Sequence, residues 1–204
     1  MTSRRQLEVA LEAVAGFDDP SLELEQYMTP STVAASLIHE ADLKGDLDRT
    51  VLDLGTGTGM LAIAAAFRSA EVVIGIDIDP RVLSVAKRNI ATTQAAVELV
   101  CGAIEAVPIC PTEPTTVLMN PPFGAQRDQR GADRPFLLSA SELASVSYSI
   151  HNAASRDFVE SFAEDHGGRL TDAYAVELDI PAQFSFHDRQ TAAIDAEAYR
   201  IVWA

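Results

Sequence analysis

Thr50-Val51-Leu52-Asp53-Leu54-Gly55-Thr56-Gly57-Thr58-Gly59-Met60 is the stretch whose reading decides the fold. Its first five residues are a compact apolar run with one acid, the length of a buried strand. Three glycines at alternate positions follow, and from Met60 to about Phe67 the chain is apolar and of helical composition. Strand, glycine-rich turn and helix in direct succession predict a βα unit. In such a unit backbone N–H groups come close to a ligand and the helix N-terminus adds positive potential. The same glycines would also serve a tight turn with nothing bound, because Gly-x-Gly alone is a weak pattern. Asp77 favours the ligand. It stands 22 residues beyond Gly55, at the end of the next apolar run, Val72-Val73-Ile74-Gly75-Ile76, where an acid is placed to hold ribose hydroxyls. A dinucleotide site expects Gly-x-Gly-x-x-Gly, and a phosphate loop expects Lys-Ser/Thr after the last glycine; neither is present.

The alternation continues outward. Residues 3–15 carry Leu7, Leu11 and Val14 at helical spacing behind Ser3 as N-cap. A loop from Gly16 to Tyr27 leads to a second helix, with Thr29 as its expected N-cap and Pro30 as its first residue; Val33, Leu37, Ile38 and Ala41 face a core and Gly45 ends it. Asp79-Pro80 caps and opens another helix, with Val82, Leu83, Val85 and Ala86 partly buried. Further strands are expected at Val97–Cys101, Thr116–Met119 and Ser145–His151, and helices over 136–144 and 153–165, the last stopped by Gly167-Gly168. Apolar strands alternating with helices predict a parallel sheet covered on both faces. Tyr174–Ile180 and Ala198–Trp203 instead alternate apolar with polar, the pattern of an antiparallel hairpin at the sheet's edge, joined through Pro181 and Phe184-Ser185-Phe186-His187. The reading is one α/β domain over 1–204, with an N-terminal helical segment over 1–45.

Composition bounds the function. The chain has 204 residues, 48% of them apolar, enough for a proper core. No apolar run approaches a membrane span and Met1–Arg5 lacks the apolar segment of a secretion signal, so a cytoplasmic protein without membrane contact is expected. Cys101 and Cys110 have no motif spacing and read as free thiols; no metal cluster is visible. The net charge is −15, with two lysines (Lys44, Lys87) against thirteen arginines. Acidity of this kind argues against nucleic acid, which wants Lys and Arg at its phosphates. Here the acids are scattered along folded segments, a halophile-like pattern suited to a high-salt interior where charge is screened, so RNA stays open as a partner.

Met119-Asn120-Pro121-Pro122-Phe123-Gly124 closes the fourth apolar run. Two prolines forbid helix and ladder pairing, so the chain leaves the sheet there. An amide, two rigid prolines and an aromatic at a strand's end form a clamp for a flat, nitrogen-bearing substrate. The segment resembles the motif that follows the fourth strand in S-adenosylmethionine-dependent methyltransferases. That resemblance implies an exocyclic purine amine, a poor nucleophile in conjugation. Its N–H groups would bond the Asn120 side-chain oxygen and the Pro121 carbonyl, drawing the nitrogen toward sp³ and aiming its lone pair. Phe123 would stack on the base, worth ~1–3 kcal/mol. A structural proline turn is the plainer alternative.

Val-Leu-Asp-Leu-Gly-Thr-Gly-Thr-Gly with Asp77 resembles the first motifs of S-adenosylmethionine-dependent methyltransferases of the Rossmann-like, seven-stranded fold. Asn-Pro-Pro-Phe occupies the corresponding place after the fourth strand. Leu24-Glu25-Gln26-Tyr27-Met28-Thr29-Pro30, Tyr148-Ser149-Ile150-His151 and the 178–187 segment resemble, across nearly the whole chain, the archaeal and eukaryotic methyltransferases that make N6-methyladenosine in small-subunit ribosomal RNA. The resemblance implies S-adenosylmethionine contacts from Gln26, Tyr27, Thr29, Asp53, Gly55, Gly57, Thr58, Met60, Asp77, Ile78, Gly102, Ala103 and Asn120, with 1–45 covering the cofactor. It implies catalysis by Asn120, Pro121, Pro122 and Phe123. Many relatives place an acid after the third strand for the cofactor adenine; here Cys101-Gly102-Ala103 stands there, so the backbone of Gly102 and Ala103, or Glu105, would serve. The resemblance also implies a small zinc-binding activator protein pairing along a sheet edge, for which Val97-Glu98-Leu99-Val100 is the candidate. Arg127, Arg130 and Arg134 either contact RNA phosphates or pair with Asp128 and Asp133. His151 and His187 are read as structural. Protein-glutamine methylation, guanine-N2 methylation and a cofactor-binding scaffold are the alternatives.

Overall fold

The computed structural model describes residues 3–21, 25–107, 109, 111–123, 131–181 and 191–204, and of 177–181 and 191–194 the backbone alone. Leu24, Cys110, Gly124, Arg127, Arg130 and the Phe184–His187 connection lie outside the described residues. In chain order the elements are α1 (Arg4–Leu11), α2 (Ser31–Leu43), β1 (Thr50–Leu54), α3 (Met60–Ala66), β2 (Val72–Asp77), α4 (Pro80–Thr93), β3 (Glu98–Cys101), β4 (Thr115–Met119), α5 (Arg134–Leu143), β5 (Val146–Asn152), α6 (Arg156–Asp165), β6 (Arg169–Pro181) and β7 (Thr191–Val202). Short 3₁₀ turns at Ile104–Ala106 and Ala153–Ser155 were not anticipated from the sequence.

The strands form one seven-stranded sheet in the order β3-β2-β1-β4-β5-β7-β6. The first five run parallel, and β7 pairs antiparallel with both β5 and β6. This is the mostly parallel sheet with a C-terminal antiparallel hairpin that the apolar and alternating runs predict. Register positions the site. Leu54 lies beside Ile76 on one flank and Met119 on the other. The next residues, Gly55, Asp77 at the last position of β2, and Asn120, therefore stand side by side at its carboxyl edge, where the winding reverses between β1 and β4 and a crevice opens.

Strand alternation divides the core in two. Val51, Val73, Leu118, Tyr148 and Ile150 pack against α1, α2 and α3; Leu52, Leu54, Ile76, Val117 and Met119 pack against α5 and α6. β1 and β4, covered on both faces, are buried almost throughout, as their unbroken apolar runs require. β3 is short, half-exposed and at the sheet's edge.

Caps follow local chemistry in two cases and fail in a third. Ser3 and Gln6 form a reciprocal capping box on α1. Asp79 accepts from the Arg81 N–H, with Pro80 opening α4. Thr29 does not cap α2: the N-cap is Pro30, without a side-chain hydrogen bond, and the Thr29 hydroxyl is turned toward Asn120. Below the sheet, Asp46 beyond the end of α2 binds Tyr148 Oη (2.6 Å) and Arg200 Nε (2.8 Å), fastening that helix to β5 and β7.

Candidate active site

A cavity of about 270 Å³ opens at the carboxyl edge, over the β1–α3 turn. Gly55 (φ +67°) and Gly57 (φ +55°) adopt conformations that side chains disfavour. Space is tight as well: a Cβ on Gly55 would stand 2.8 Å from the Phe136 ring and one on Gly57 3.2 Å from the Phe17 ring, so either ring would have to shift. The turn is bare so that its backbone can form the cavity floor.

Two acids order this floor. Asp53 is buried, and its Oδ2 accepts from Thr56 Oγ1 (2.7 Å) and the Ala62 N–H (3.0 Å), tying β1 to the turn and to α3. Burial pushes its carboxyl up to about 7. Asp77 Oδ2 accepts from the Gly57 N–H (2.9 Å) and its Oδ1 from the Asp79 N–H (3.0 Å). Burial raises its pKa too, against the pull of those N–H donors. Asp79, by contrast, is held below the usual carboxylate range by its hydrogen bond to Arg81.

The N-terminal segment lies along the cavity. Phe17 and Glu25 to Thr29 line it. Gln26 is buried, accepts from the Ser21 N–H (2.7 Å), and its Nε2 lies 3.5 Å from Asp79 Oδ2. The segment's start is fixed by a residue the sequence reading did not single out. Asn89 on α4, 3% exposed, accepts from the Ala15 N–H (3.0 Å) and donates to the Ala15 carbonyl (3.0 Å) and the Thr58 carbonyl (2.9 Å). One amide thereby joins the N-terminal segment, α4 and the glycine turn. Its signal was available: Asn89 continues the core-facing series Val82, Val85 and Ala86, where a polar side chain needs partners.

Asn120 closes the cavity on the β4 side. Its Nδ2 donates to Thr29 Oγ1 (2.9 Å), and its Oδ1 is buried with no partner among the described residues. A buried carbonyl oxygen without a donor is costly, so it marks a place where a donor is meant to arrive. Pro122 lines the cavity; Pro121 is buried behind it, and Phe123 is half-buried against the α1–α3 side of the core. The far wall holds Ile78, Ala103, Ile104, Glu105 and Phe136. Ile78, 59% exposed beside Asp77, gives the mouth an apolar rim.

Of the residues singled out in the sequence, Gln26, Tyr27, Thr29, Asp53, Gly55, Gly57, Thr58, Met60, Asp77, Ile78, Ala103, Asn120 and Pro122 meet at this cavity. Gly102 is not among the lining residues, and its N–H donates to the Asp77 carbonyl (2.9 Å). Glu105 does reach it. Arg134 lies outside the lining, its guanidinium over the Phe162 ring 5.7 Å from the centroid. His151 is buried in β5 with Nδ1 3.1 Å from Asp133 Oδ2. Asp133 is therefore engaged by a histidine. Cys101 is exposed and free. Among the described residues no group of acids, histidines and cysteines could hold a metal, and no helix is long and apolar enough to cross a membrane.

The acid pair, the bare glycine turn and the apolar rim suit a nucleoside bearing a charged tail: Asp77 for ribose hydroxyls, Ile78 and Ile104 for a base. Comparison with known proteins agrees with this geometry. Residues 31–113, which carry the turn and both acids but stop short of Asn120, match the PrmA family, ribosomal protein L11 methyltransferase. Over nearly their whole lengths, the rRNA N(6)-adenosine-methyltransferase METTL5 of Danio rerio is 31% identical (96% of this chain, 97% of that one) and Mettl5 of Drosophila melanogaster 32% (96% and 94%). The crystal structure of an RNA methyltransferase candidate from Pyrococcus horikoshii superposes with a TM-score of 0.89 at 36% identity, covering 100% of this chain and 99% of that one. With the glycine turn, Asp77 and the Asn120 edge in these positions and similarity of this extent, the chain belongs to the rRNA N(6)-adenosine-methyltransferase family.

Proposed function

We propose that this protein transfers a methyl group from S-adenosyl-L-methionine to the N6 amino group of an adenosine in small-subunit ribosomal RNA. The single observation that carries the reading is the Asn120 amide at the cavity's edge, its Nδ2 held by Thr29 and its buried Oδ1 without a partner among the described residues. The cofactor supplies an electrophilic methyl on a sulfonium. The chain's part is to hold that cofactor with Asp53, Asp77, the glycine turn and the 25–29 segment, and to present the acceptor nitrogen. Asn120 Oδ1 accepts one N6–H and the Pro121 carbonyl the other, which turns the lone pair out of conjugation with the ring. Pro121 and Pro122 fix that carbonyl's direction at low entropic cost. The proton leaves after transfer, so no strong base is required. Phe123 stacks on the base, which calls for a rotation away from its packing on the core.

An adenosine inside a helix must be flipped out, at a cost of about a few kcal/mol, least where it is unpaired. A small zinc-binding activator protein is the proposed partner. Support comes from β3, an edge strand with half-exposed residues and one backbone side unpaired among the described strands, the geometry for strand addition. Asn120→Ala tests the assignment. Transfer to ribosomal RNA, read by nucleoside mass spectrometry as N6-methyladenosine, should fall by at least about a hundredfold, the scale on which positioned donors and acceptors act. Cofactor affinity should stay within a few-fold. Retained turnover would remove Asn120 from the reaction.

A further inference from the structure

The two ends of an Asn amide have nearly the same shape and opposite hydrogen-bonding sense. Only one orientation of Asn120 is useful. With Oδ1 toward the base it accepts an N6–H; with Nδ2 there, donor meets donor. In this structure Nδ2 lies 2.9 Å from Thr29 Oγ1, across 91 residues of sequence, and Oδ1 has no partner among the described residues. Yet the contact alone does not choose, because a hydroxyl accepts from Nδ2 or donates to Oδ1 with equal ease. What decides is where the hydroxyl proton goes. Thr29 is excused from capping α2, lines the cavity, and donates to no acceptor among the described residues. If its proton is donated into the cavity, its oxygen is an acceptor only, and Asn120 must offer Nδ2 to it.

We propose that Thr29 is a positioning residue that fixes the Asn120 amide, and that it does so fully only when an acceptor of the bound cofactor takes its hydroxyl proton. Occupancy of the cofactor site is thereby relayed to the adenine clamp, and binding is ordered, cofactor first. The inference rests on the clamp reading of Asn120. S-adenosyl-L-methionine and S-adenosyl-L-homocysteine both carry a carboxylate able to take such a proton. Thr29 is itself held by the cavity-lining 25–29 segment, which Gln26 ties to Asp79, so its oxygen has little freedom to follow a flipped amide.

The test uses the full chain and a fluorescent single-stranded RNA oligonucleotide carrying one adenosine, with a second oligonucleotide carrying purine riboside, which lacks the N6 amine, in its place. Affinities are measured by anisotropy with and without saturating S-adenosylhomocysteine, saturation being set for each variant by calorimetry. Saturation should tighten adenosine binding about tenfold, within the range of ordinary site–site coupling. Purine riboside should show less than about twofold tightening, the level expected with no coupled donor. Thr29→Ser keeps the hydroxyl and should retain several-fold coupling. Thr29→Val keeps the shape without the hydroxyl and should lose it, with kcat falling more than the cofactor KM rises. Melting curves confirm that each variant is folded, and the serine variant carries the test should valine fail to fold. Full coupling in Thr29→Val, none in the wild type, or equal coupling with purine riboside would overturn the proposal. If Asn120→Ala keeps both coupling and turnover, the clamp reading itself fails; if it loses both while Thr29→Val keeps both, only the role of Thr29 fails.

Discussion

Asn89→Asp replaces one amine by one oxygen, with almost no change of shape, and reverses two of the three hydrogen bonds that join the N-terminal segment to the glycine turn. The remaining carboxylate oxygen still accepts from the Ala15 N–H. The other faces the carbonyls of Ala15 and Thr58, which Asn89 Nδ2 now serves at 3.0 and 2.9 Å. Each lost bond removes about 1 kcal/mol net, and a carbonyl left buried adds a further desolvation cost of about 1–3 kcal/mol. Ala15 is exposed and recovers hydration; Thr58, 2% exposed, does not. The sum is about 3–5 kcal/mol, a fall in Tm of roughly 6–20 °C for a chain of this length. The pH dependence has a definite sign. An ionised aspartate pointed at two carbonyls has its pKa raised above the unfolded value, so the penalty is full above the folded pKa. As pH falls through that pKa, the protonated carboxyl can donate once and the penalty shrinks. Urea unfolding of wild type, Asn89→Asp and Asn89→Ala at pH 8 and pH 5 measures this. A variant within about 0.5 kcal/mol of wild type at pH 8, the scatter of ordinary surface changes, or a larger loss at pH 5, would refute the reasoning.

Two more predictions concern the cavity floor. Asp53, raised to about 7 by burial, holds in the folded state a proton that the unfolded chain has released between the ordinary carboxylate range and pH 7. Stability of the cofactor-free protein should therefore decline as pH rises through that window and level off above it; Asp53→Asn should flatten the decline, and an unchanged slope in urea titrations would show that Asp53 does not cause it. Gly55→Ala forces a side chain into a positive-φ position, a strain of about 1–2 kcal/mol, and into Phe136. S-adenosylhomocysteine affinity should drop about tenfold or more by calorimetry, an effect of at least 1.4 kcal/mol, whereas an unaltered Kd would mean Phe136 yields without cost to the site.

The sheet was readable because burial on both faces leaves a mark that needs no partner to interpret. Thr50–Leu54 and Thr115–Met119 could be little other than central parallel strands, and their ends, Gly55 and Asn120, followed. Asp77 was legible for the same reason, since its place is defined by the strand before it. Ser3 and Asp79 were read correctly as caps because their partners lie within three residues. Thr29 obeys the same local rule and was misread, as the partner that takes its side chain is 91 residues away. Asn89 was missed because helix patterns count apolar positions, while its partners lie 74 and 31 residues distant. Nothing in the sequence reveals that the Asp77 carbonyl claims the Gly102 N–H. The errors share one cause. Hydrogen bonds between remote segments leave no periodic trace.

The strand order β5-β7-β6 bears on how the protein is made. β6 is synthesised before β7, yet β7 is the strand that must lie between β5 and β6. Until residues 191–202 have emerged, β5 therefore presents an unpaired edge on the flank away from β4. At about 5–20 residues per second, the 50 positions from the start of β5 at Val146 to the register partner of Asn152 at Ala196 take some seconds to appear. During that interval a strand with apolar Val146, Tyr148 and Ile150 along one face stands open to the edge of any neighbouring chain. The residues that assemble the cavity are all translated by then. The site is thus complete in sequence well before the sheet that carries it can close.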